Sequence, residues 1–351
     1  MRKTLREIAA QAGVSHTTVS LALRGDRRLP AATRKRIEKV ARQLGYRRDA
    51  VLGQLMAQLR TIRARPAQAA LGFITAWPTR HGWSAAANHR RVHAGAPERA
   101  RDLGYSLDEL WLAEPGMTAE RVTRILLARG IRGLILHSLP HPGGKLALGW
   151  KHFAAVTKGV TIVQPPLHRV ISSHYDDIRL VATELARRRY RRLGLVLGKE
   201  MNDRVDCAWL AGLHVHQRAL DRADRIPPLI VAAAEGAAEF RRWFRRYRPD
   251  VLLFSEQPVP AWIDRLGLRA PKDLGLVHLD WSPEIAPLAG LDSNAEALGR
   301  AAVDLLVGQL HAQEHGIPRP EKIITIKGLW RDGSSVRPRG ARVALPHKAK
   351  S

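Results

Sequence analysis

Residues 4–23 read TLREIAAQAGVSHTTVSLAL, and their pattern specifies the N-terminal part of the chain. Thr4 and Glu7 have the spacing of a capping box, in which a hydroxyl and a carboxylate satisfy free N–H groups at a helix start. Gly13 tolerates the positive φ of a tight turn, and Ser15 is a favourable N-cap for a second helix. The stretch therefore predicts a helix, a tight turn and another helix.

A third helix is predicted after the break at Arg24-Gly25-Asp26. Pro30 suits a first helical position, and Gly45 suits the end of the helix. Apolar residues at helical spacing give the three helices inward faces; they are Leu5, Ile8, Ala9, Ala12, Val19, Leu23, Ile37, Val40, Ala41 and Leu44. We expect an all-α head built around one small core.

The second helix is expected to contact DNA, because the N-terminal side chains of a recognition helix enter the major groove. His16 and Thr17 are predicted to meet base edges. Small hydroxyl residues are better suited to phosphates, and an arginine suits either phosphates or bases. The candidate DNA-binding residues of the head are Thr4, Ser15, His16, Thr17, Thr18, Ser20 and Arg24.

The charge of the chain supports a nucleic-acid partner. The formal net charge is +26, and residues 1–65 hold 16 Lys/Arg and four Asp/Glu, a net +12 in a small part of the 351 residues. Such a balance favours polyanions through counterion release. The body is also basic, and its excess is explained equally well by a solvated surface without a partner.

The head resembles the lactose-repressor (LacI) family. The matching residues are Ile8-Ala9, Ala12-Gly13-Val14-Ser15, Thr18-Val19-Ser20, Thr33-Arg34, Ile37 and Leu44-Gly45-Tyr46. The resemblance implies a hinge helix after Tyr46 that inserts a leucine, here Leu55, into the minor groove and bends the DNA. The alternative is a linker helix whose Leu52, Leu55, Met56 and Leu59 pack against a partner.

Because of two departures from the family pattern, the operator sequence that the head recognises does not follow from the resemblance. Arg47-Arg48-Asp49 replaces the usual proline-asparagine pair, and Leu21 stands where the recognition helix often has a polar residue. The resemblance still implies a homodimer on a pseudo-palindromic double-stranded operator, because one small head offers too little contact for tight specific binding.

Residues from Ala70 onward predict an α/β body with doubly wound parallel sheets. Short apolar runs favour strands at 71–74, 134–136, 161–163, 193–197, 251–254 and 274–277. Helical periodicity lies between them, near 89–103, 119–129, 178–189, 206–220 and 295–311. The predicted divisions are a helix-turn-helix domain at 1–48, a hinge helix and linker at 49–69, a two-lobed body at 70–333 and a frayed basic tail at 334–351.

The body also resembles the LacI family, whose sensor domain is similar to periplasmic sugar-binding proteins. The matching stretches are Arg129-Gly130-Ile131-Arg132-Gly133-Leu134-Ile135, Leu276 to Asp280, and Leu298-Gly299-Arg300-Ala301-Ala302-Val303. This implies two Rossmann-like lobes with a small-molecule effector, expected to be a sugar or sugar derivative, in the cleft between them.

Asp280 matches a family effector-binding aspartate and is the first candidate for the cleft. Glu256 stands where the family often has asparagine, and Trp209 stands where a ligand-holding arginine is usual; Arg204 is a candidate replacement. Asp176 and Asp177 lie near another family pocket position, or else form an acidic pair at a helix N-terminus.

Several tryptophans are predicted near the cleft. Trp77 and Trp83 follow the first strand, Trp281 follows Asp280, and Trp209 begins a helix. Flat aromatic faces suit sugar rings, but each tryptophan is equally compatible with an ordinary core position.

No catalytic or metal-binding pattern stands out, so we expect no enzyme activity and no cofactor. The lone Cys207 has no CxxC partner, His214-x-His216 lacks further ligands, and Pro142-Gly143-Gly144-Lys145 indicates a turn rather than a phosphate-binding loop. Without an export signal or apolar membrane span, we expect a cytoplasmic protein. The rival classes are a sugar-binding protein with no DNA role and an enzyme acting on a sugar or nucleoside.

Overall fold

The computed structural model describes residues 5–23, 29–44, 69–232, 236–255 and 258–340. The chain divides into two compact units after residue 67, called the head and the body. Each unit is described separately below.

Three helices form the described part of the head: α1 (Leu5–Ala12), α2 (His16–Leu23) and α3 (Ala31–Gln43). Their shared core confirms the predicted inward faces, with Ile8, Val19 and Ile37 fully buried. Ala22 is also fully buried, although the prediction had not included it. The apolar spacing of three short helices therefore closes one small core.

The turn between α1 and α2 has the predicted chemistry. Gly13 has a φ of +60°, and Ser15 Oγ accepts a hydrogen bond of 3.1 Å from the backbone N–H of Thr18. Pro30 differs from the prediction by one position: its extended backbone (φ −56°, ψ 141°) makes it the N-cap, and α3 begins at Ala31.

The strands in the described residues of the body form two six-stranded sheets and one small two-stranded sheet. In chain order they are β1 (Ala69–Thr75), β2 (Tyr105–Trp111), β3 (Gly133–Leu136), β4 (Gly144–Lys145), β5 (Ala154–Lys158), β6 (Ile162–Gln164), β7 (His168–Ser172), β8 (Leu193–Gly198), β9 (Leu229–Val231), β10 (Val251–Phe254), β11 (Gly275–His278), β12 (Ala289–Asp292), β13 (Ile323–Ile326) and β14 (Leu329–Arg331).

The helices of the body lie between these strands. They are α4 (Ala87–Asp102), α5 (Ala119–Ala128), α6 (His174–Arg187), α7 (Lys199–Arg204), α8 (Ala208–Gln217), α9 (Ala237–Tyr247), α10 (Pro258–Arg265) and α11 (Ala295–Ala312), with short 3-10 turns at Gly82–Ala85, Trp150–His152, Arg222–Asp224 and Pro283–Ile285.

The two large sheets have the same strand order and define two lobes. The first lobe has the order β13-β7-β5-β3-β1-β2 and is parallel throughout, whereas the second has β14-β12-β11-β10-β8-β9 with only β14 antiparallel. Apolar side chains of α4 and α11 cover one face of the first sheet, and those of α5 cover the other. In the second lobe, α6 and α8 pack on one face and α9 and α10 on the other. The predicted doubly wound architecture is confirmed.

Three predicted elements of the body differ in detail. The strand expected at 161–163 is β6, which pairs with β4 in the small sheet; β5, whose Ala154 and Val156 contact α11, occupies the main sheet instead. The helix expected at 206–220 begins only at Ala208, because Asp206 and Cys207 have positive φ. The predicted turn at 142–145 ends in the two residues of β4.

Residues 334–340 do not form the frayed tail that was predicted. Ser335 is buried and its hydroxyl bridges the second sheet, accepting from the N–H of Ala289 and donating to the carbonyl of Leu276. The side chain of Val336 is also buried in the second lobe. These contacts hold the segment on the lobe; residues 341–351 lie outside the described residues.

No helix in the described ranges is long and apolar enough to cross a membrane.

Candidate effector site and DNA-binding head

A cavity of about 760 Å³ lies in the body where the carboxyl ends of both large sheets converge. Several of the residues that line it follow or end parallel strands, as expected for a ligand site in a doubly wound sheet, and others belong to helices. The residues at strand ends include Trp77 after β1, Ser138 after β3 and Lys158 at the end of β5 in the first lobe, and Asp280 after β11 and Ser293 after β12 in the second lobe. The volume suits a small molecule.

Lys158 brings a positive charge to the wall of the cavity, and no pattern in the sequence predicts it. Its ammonium makes no hydrogen bond or ion pair with any described residue. Burial lowers the pKa of Lys158 to about 8, while the negative charge of Asp280 opposes this shift. The side chain therefore remains mostly protonated near pH 7.

Asp280, the first predicted effector residue, does line the cavity. Its Oδ1 accepts a hydrogen bond of 2.6 Å from Nδ2 of Asn88, which also donates to the carbonyl of Trp281 at 3.1 Å. Because Asn88 belongs to α4 of the first lobe and Asp280 to the second, this pair links the two lobes across the cavity. One carboxylate oxygen of Asp280 thus has a fixed orientation.

Arg204 also lines the cavity and links the lobes. Its Nη1 donates to the carbonyl of Leu139 at 2.8 Å and to the carbonyl of Pro140, both of which follow β3. Burial lowers the pKa of Arg204, and the charges of Glu200 and Asp280 oppose the shift. The guanidinium is therefore a desolvated cation held at the boundary between the lobes.

Two predicted tryptophans line the cavity on opposite lobes. Trp77 is half-buried, and its indole N–H donates to the carbonyl of Ser138 at 2.9 Å. Trp209 is buried and packs edge-on against His174, with ring centroids 4.8 Å apart. The Nε1 of Trp209 has no hydrogen-bond partner among the described residues.

Two imidazoles lie close enough to Lys158 for its charge to affect their pKa values. His89 lines the cavity, and its ring packs edge-on against His137 at a centroid distance of 4.7 Å. Burial, followed by the charge of Lys158, lowers the pKa of His89 well below its usual value and that of His137 to about 3. Both rings are therefore neutral near pH 7, and the positive charge of this wall stays on Lys158 and Arg204.

Three other predicted residues do not line the cavity. Asp176 lies in the first turn of α6, where its Oδ2 accepts from the Ser173 hydroxyl at 2.9 Å, so the helix N-terminus accounts for it. Trp83 packs in the first lobe against Phe73. Trp281 donates its indole N–H to the carbonyl of Leu288. Glu256 lies outside the described residues.

A second polar contact between the lobes centres on Asp292, which is almost fully buried at the end of β12. Arg91 of α4 bonds to Asp292 at 2.9 Å and to Glu296 at 2.7 Å, and Arg331 reaches Asp292 at 2.8 Å. Burial alone would raise the pKa of Asp292, but the hydrogen bonds from the two arginines lower it. The buried carboxylate of Asp292 is thus paired with two arginines, and its bond to Arg91 links the two lobes.

The N-terminal end of α2 in the head presents polar side chains to solvent. Ser15 and Thr17 are exposed and Thr18 is half-buried, with the hydroxyls of Ser15 and Thr18 2.8 Å apart. Ser15 therefore has a structural role as a cap in addition to its predicted role at DNA. The side chains of His16 and Ser20, and the candidates Thr4, Arg24 and Leu55, lie outside the described residues.

In the described residues, no group of three or more His, Cys, Asp or Glu side chains is arranged to hold a metal ion. Cys207 is exposed. It is the N-cap residue of α8 and has a φ of +55°.

Comparison with known families identifies both units. The family described as bacterial regulatory proteins, lacI family, matches residues 4–49, and the periplasmic binding protein-like domain matches residues 182–335.

Several curated relatives are transcription regulators. The chain is 25% identical to the lactose operon repressor of Escherichia coli K12, covering 87% of this chain and 84% of the repressor. It is 27% identical to the regulator MalR of Streptomyces coelicolor, covering 91% of this chain and 92% of MalR. A stretch of 147 residues is 35% identical to the regulator PtxS of Pseudomonas plecoglossicida, covering 42% of this chain and 39% of PtxS.

Solved structures share the fold. A Lac repressor dimer bound to operator and the anti-inducer ONPF has a TM-score of 0.54 at 20% identity, covering 96% of this chain and 100% of that one. A complex of the transcriptional regulator CelR with cellobiose has a TM-score of 0.53 at 17% identity, covering 95% and 100%. The chain therefore has a head of the LacI family of bacterial regulatory proteins and a periplasmic-binding-protein-like body, the two units of a LacI-type DNA-binding transcription regulator.

Proposed function

We propose that this regulator is a repressor that binds a pseudo-palindromic operator as a homodimer, and that a carbohydrate-type effector in the cavity changes its affinity for DNA. The observation that carries the proposal is the cavity itself, which lies at the carboxyl ends of both sheets and is lined from both lobes. A ligand there contacts two lobes at once, so its binding free energy can favour one arrangement of the lobes over another.

The cavity wall supports a carbohydrate-type ligand. Trp77 and Trp209 are indoles on opposite lobes, and aromatic faces pack well against the apolar faces of sugar rings. Asp280 has a carboxylate oriented by Asn88, and an oriented carboxylate accepts hydrogen bonds from hydroxyl groups. The structural relative CelR is bound to cellobiose, which agrees with this ligand class.

The contacts between the lobes provide a route for control. Asn88 and Arg204 each line the cavity and each bond across to the other lobe. A ligand that competes for Asp280 or for the Arg204 guanidinium would replace these bonds and shift the closure of the lobes. In the proposed mechanism, that change alters the spacing of the two hinges of a dimer and therefore the affinity of both heads for DNA.

On the DNA side, we propose that His16 and Thr17 read base edges, that Thr4, Ser15, Thr18 and Ser20 contact phosphates, that Arg24 contacts either, and that Leu55 inserts into the minor groove. The exposure of Thr17 at the N-terminal end of α2 supports this assignment. The structural relative bound to operator is a Lac repressor dimer, which supports two heads on two half-sites.

The first test is selection of fragmented genomic DNA on the purified full-length protein at moderate salt, followed by sequencing. We expect a two-fold-symmetric motif, because two identical heads related by a two-fold axis bind two inverted half-sites. Moderate salt is needed because a protein with net charge +26 binds any DNA at low salt. Enrichment without a symmetric motif would contradict operator binding by a dimer.

A further inference from the structure

Lys158 differs from the other lysine that lines the cavity. Lys199 also lines it, but its ammonium lies 2.7 Å from Oδ2 of Asp203 and its side chain is largely exposed. Lys158 has no such carboxylate partner in the described part of the chain, and its side chain is half-buried at the end of β5. An unpaired, partly desolvated ammonium is costly, and proteins usually pair such a charge.

The neighbours of Lys158 do not neutralise it. Asp280 lowers the cost of the ammonium electrostatically, but Arg204 brings a second positive charge to the same wall. His89 and His137 are neutral. Three charged residues of the described cavity wall are half-buried, namely Lys158, Arg204 and Asp280, so that two cations face one carboxylate. The other charged lining residues, Lys199, Glu200 and Asp206, are exposed to solvent. The half-buried part of the wall therefore has an excess of one positive charge.

An unpaired hydrogen-bond donor adds a second, independent observation. The buried Nε1 of Trp209 has no partner among the described residues, and an indole N–H can only donate. Nδ1 of His89, in the same cavity wall, is also buried without a partner, and in a neutral imidazole it donates or accepts according to the tautomer. A ligand with a hydrogen-bond acceptor would therefore satisfy the indole N–H that the protein itself leaves unpaired.

We infer that the effector carries one carboxylate, which binds to Lys158 in the field of Arg204, and is therefore a sugar acid or a similar monocarboxylate rather than a neutral sugar. A carboxylate supplies one negative charge, which equals the excess of positive charge in the wall. A phosphate monoester carries close to two negative charges at pH 7 and would overcompensate it. This inference rests on the proposed function, since it names the ligand of the same cavity.

The test is a thermal-shift series on the full-length protein at pH 7 with three sets of compounds. The neutral set contains D-glucose, D-glucitol and cellobiose; the monocarboxylate set contains D-gluconate, D-galacturonate and L-lactate; the phosphate set contains D-glucose 6-phosphate and D-fructose 6-phosphate. A compound that binds only the folded state stabilises it by RT ln(1 + L/Kd), where L is the compound's concentration, so Tm rises with the logarithm of that concentration once it exceeds Kd. We expect stabilisation by at least one monocarboxylate and not by its neutral counterpart.

Two variants locate the binding. Lys158→Met removes the charge at similar length and should weaken the binding of that monocarboxylate roughly 10- to 100-fold, the usual effect of losing a charge-assisted hydrogen bond in a buried site. Lys199→Met, the matched control in the same cavity wall, should leave Kd nearly unchanged because that ammonium is already paired and exposed. Without ligand, Lys158→Met should fold with an equal or higher Tm, because it removes an unpaired, partly desolvated charge.

The outcomes separate this inference from the function on which it rests. Stabilisation by the neutral set alone, or by the phosphate set alone, overturns the carboxylate assignment and leaves effector control in place. Stabilisation by none of the three sets counts against effector binding in the cavity, and therefore against both. A lower Tm of ligand-free Lys158→Met would show that Lys158 stabilises the fold through Asp280, which also overturns the inference.

Discussion

The protonation state of each basic residue around the cavity depends on its neighbours as well as on its residue type. His89 and Lys158 are both basic side chains of the same wall, but burial and the ammonium keep the imidazole neutral while the lysine remains mostly protonated at pH 7. Asp280 is oriented by Asn88 from the other lobe. The recognition chemistry of the cavity is therefore set by a few groups that meet only in the folded body.

His16 provides a test of base recognition in the head. His16→Ala should broaden the preferred DNA motif, because a base-edge contact typically contributes about 1 to 3 kcal/mol of discrimination. Ser20→Ala is the matched control, since loss of a phosphate contact weakens binding to all sequences alike. Sequencing of selected DNA measures both effects. An unchanged motif for His16→Ala would remove His16 from the residues that recognise bases.

The residues of the cavity were only partly predictable from the sequence. The sequence predicts three residues of the cavity wall, because each follows a recognisable apolar strand or matches a family position; they are Asp280, Trp209 and Trp77. Lys158 was missed, because a single lysine at the end of a short, alanine-containing strand has no distinctive spacing. Asp176 is open to two interpretations from the sequence, and its contact with Ser173 in the first turn of α6 agrees with the helix N-terminus.

Among the elements, the crossing of α4 and α11 gives the first lobe its close packing. A Cβ atom on Gly299 would overlap the carbonyl oxygen of Val92, and one on Gly95 would overlap the carbonyl oxygen of Glu296. The two backbones therefore approach each other at paired glycines. Because α11 also contacts β5, whose last residue is Lys158, this crossing supports the strand that ends in the cavity.

Gly299→Ala should destabilise the body, by about 1 to 3 kcal/mol, because the added methyl group has no space between the helices. Gly308→Ala in the same helix is the matched control: a Cβ there meets no atom within 4 Å, so alanine should stabilise the helix by about 0.5 to 1 kcal/mol. Urea unfolding of the full-length variants measures both changes. Changes of the same sign would contradict the packing described for α4 and α11.

Strands could be predicted from the sequence where every residue of the strand is buried. Strands such as Val251–Phe254 are apolar throughout because both faces of the sheet are covered. Tyr105–Trp111 was not predicted, since it lies at the edge of its sheet and mixes polar with apolar residues. The position of β6 in a separate small sheet depends on long-range pairing that local sequence does not encode.

The whole molecule combines two units for which we propose different partners. The head has the fold and family of a DNA-binding domain, and the body has a cavity lined from both lobes. Control requires that the effector bind two arrangements of the body with different affinity, and that DNA distinguish the same two arrangements. The coupling is reciprocal, so the operator must change effector affinity by the same factor.

Coupling is best tested by measuring the Kd for the selected operator without and with a saturating concentration of the strongest stabilising compound, at one stated salt concentration. We expect the operator Kd to change roughly 5- to 150-fold, the usual range of coupling between two sites, and the Kd of the compound to change by the same factor when operator is present. A compound that binds in the cavity while the operator Kd stays the same would contradict effector control of DNA binding.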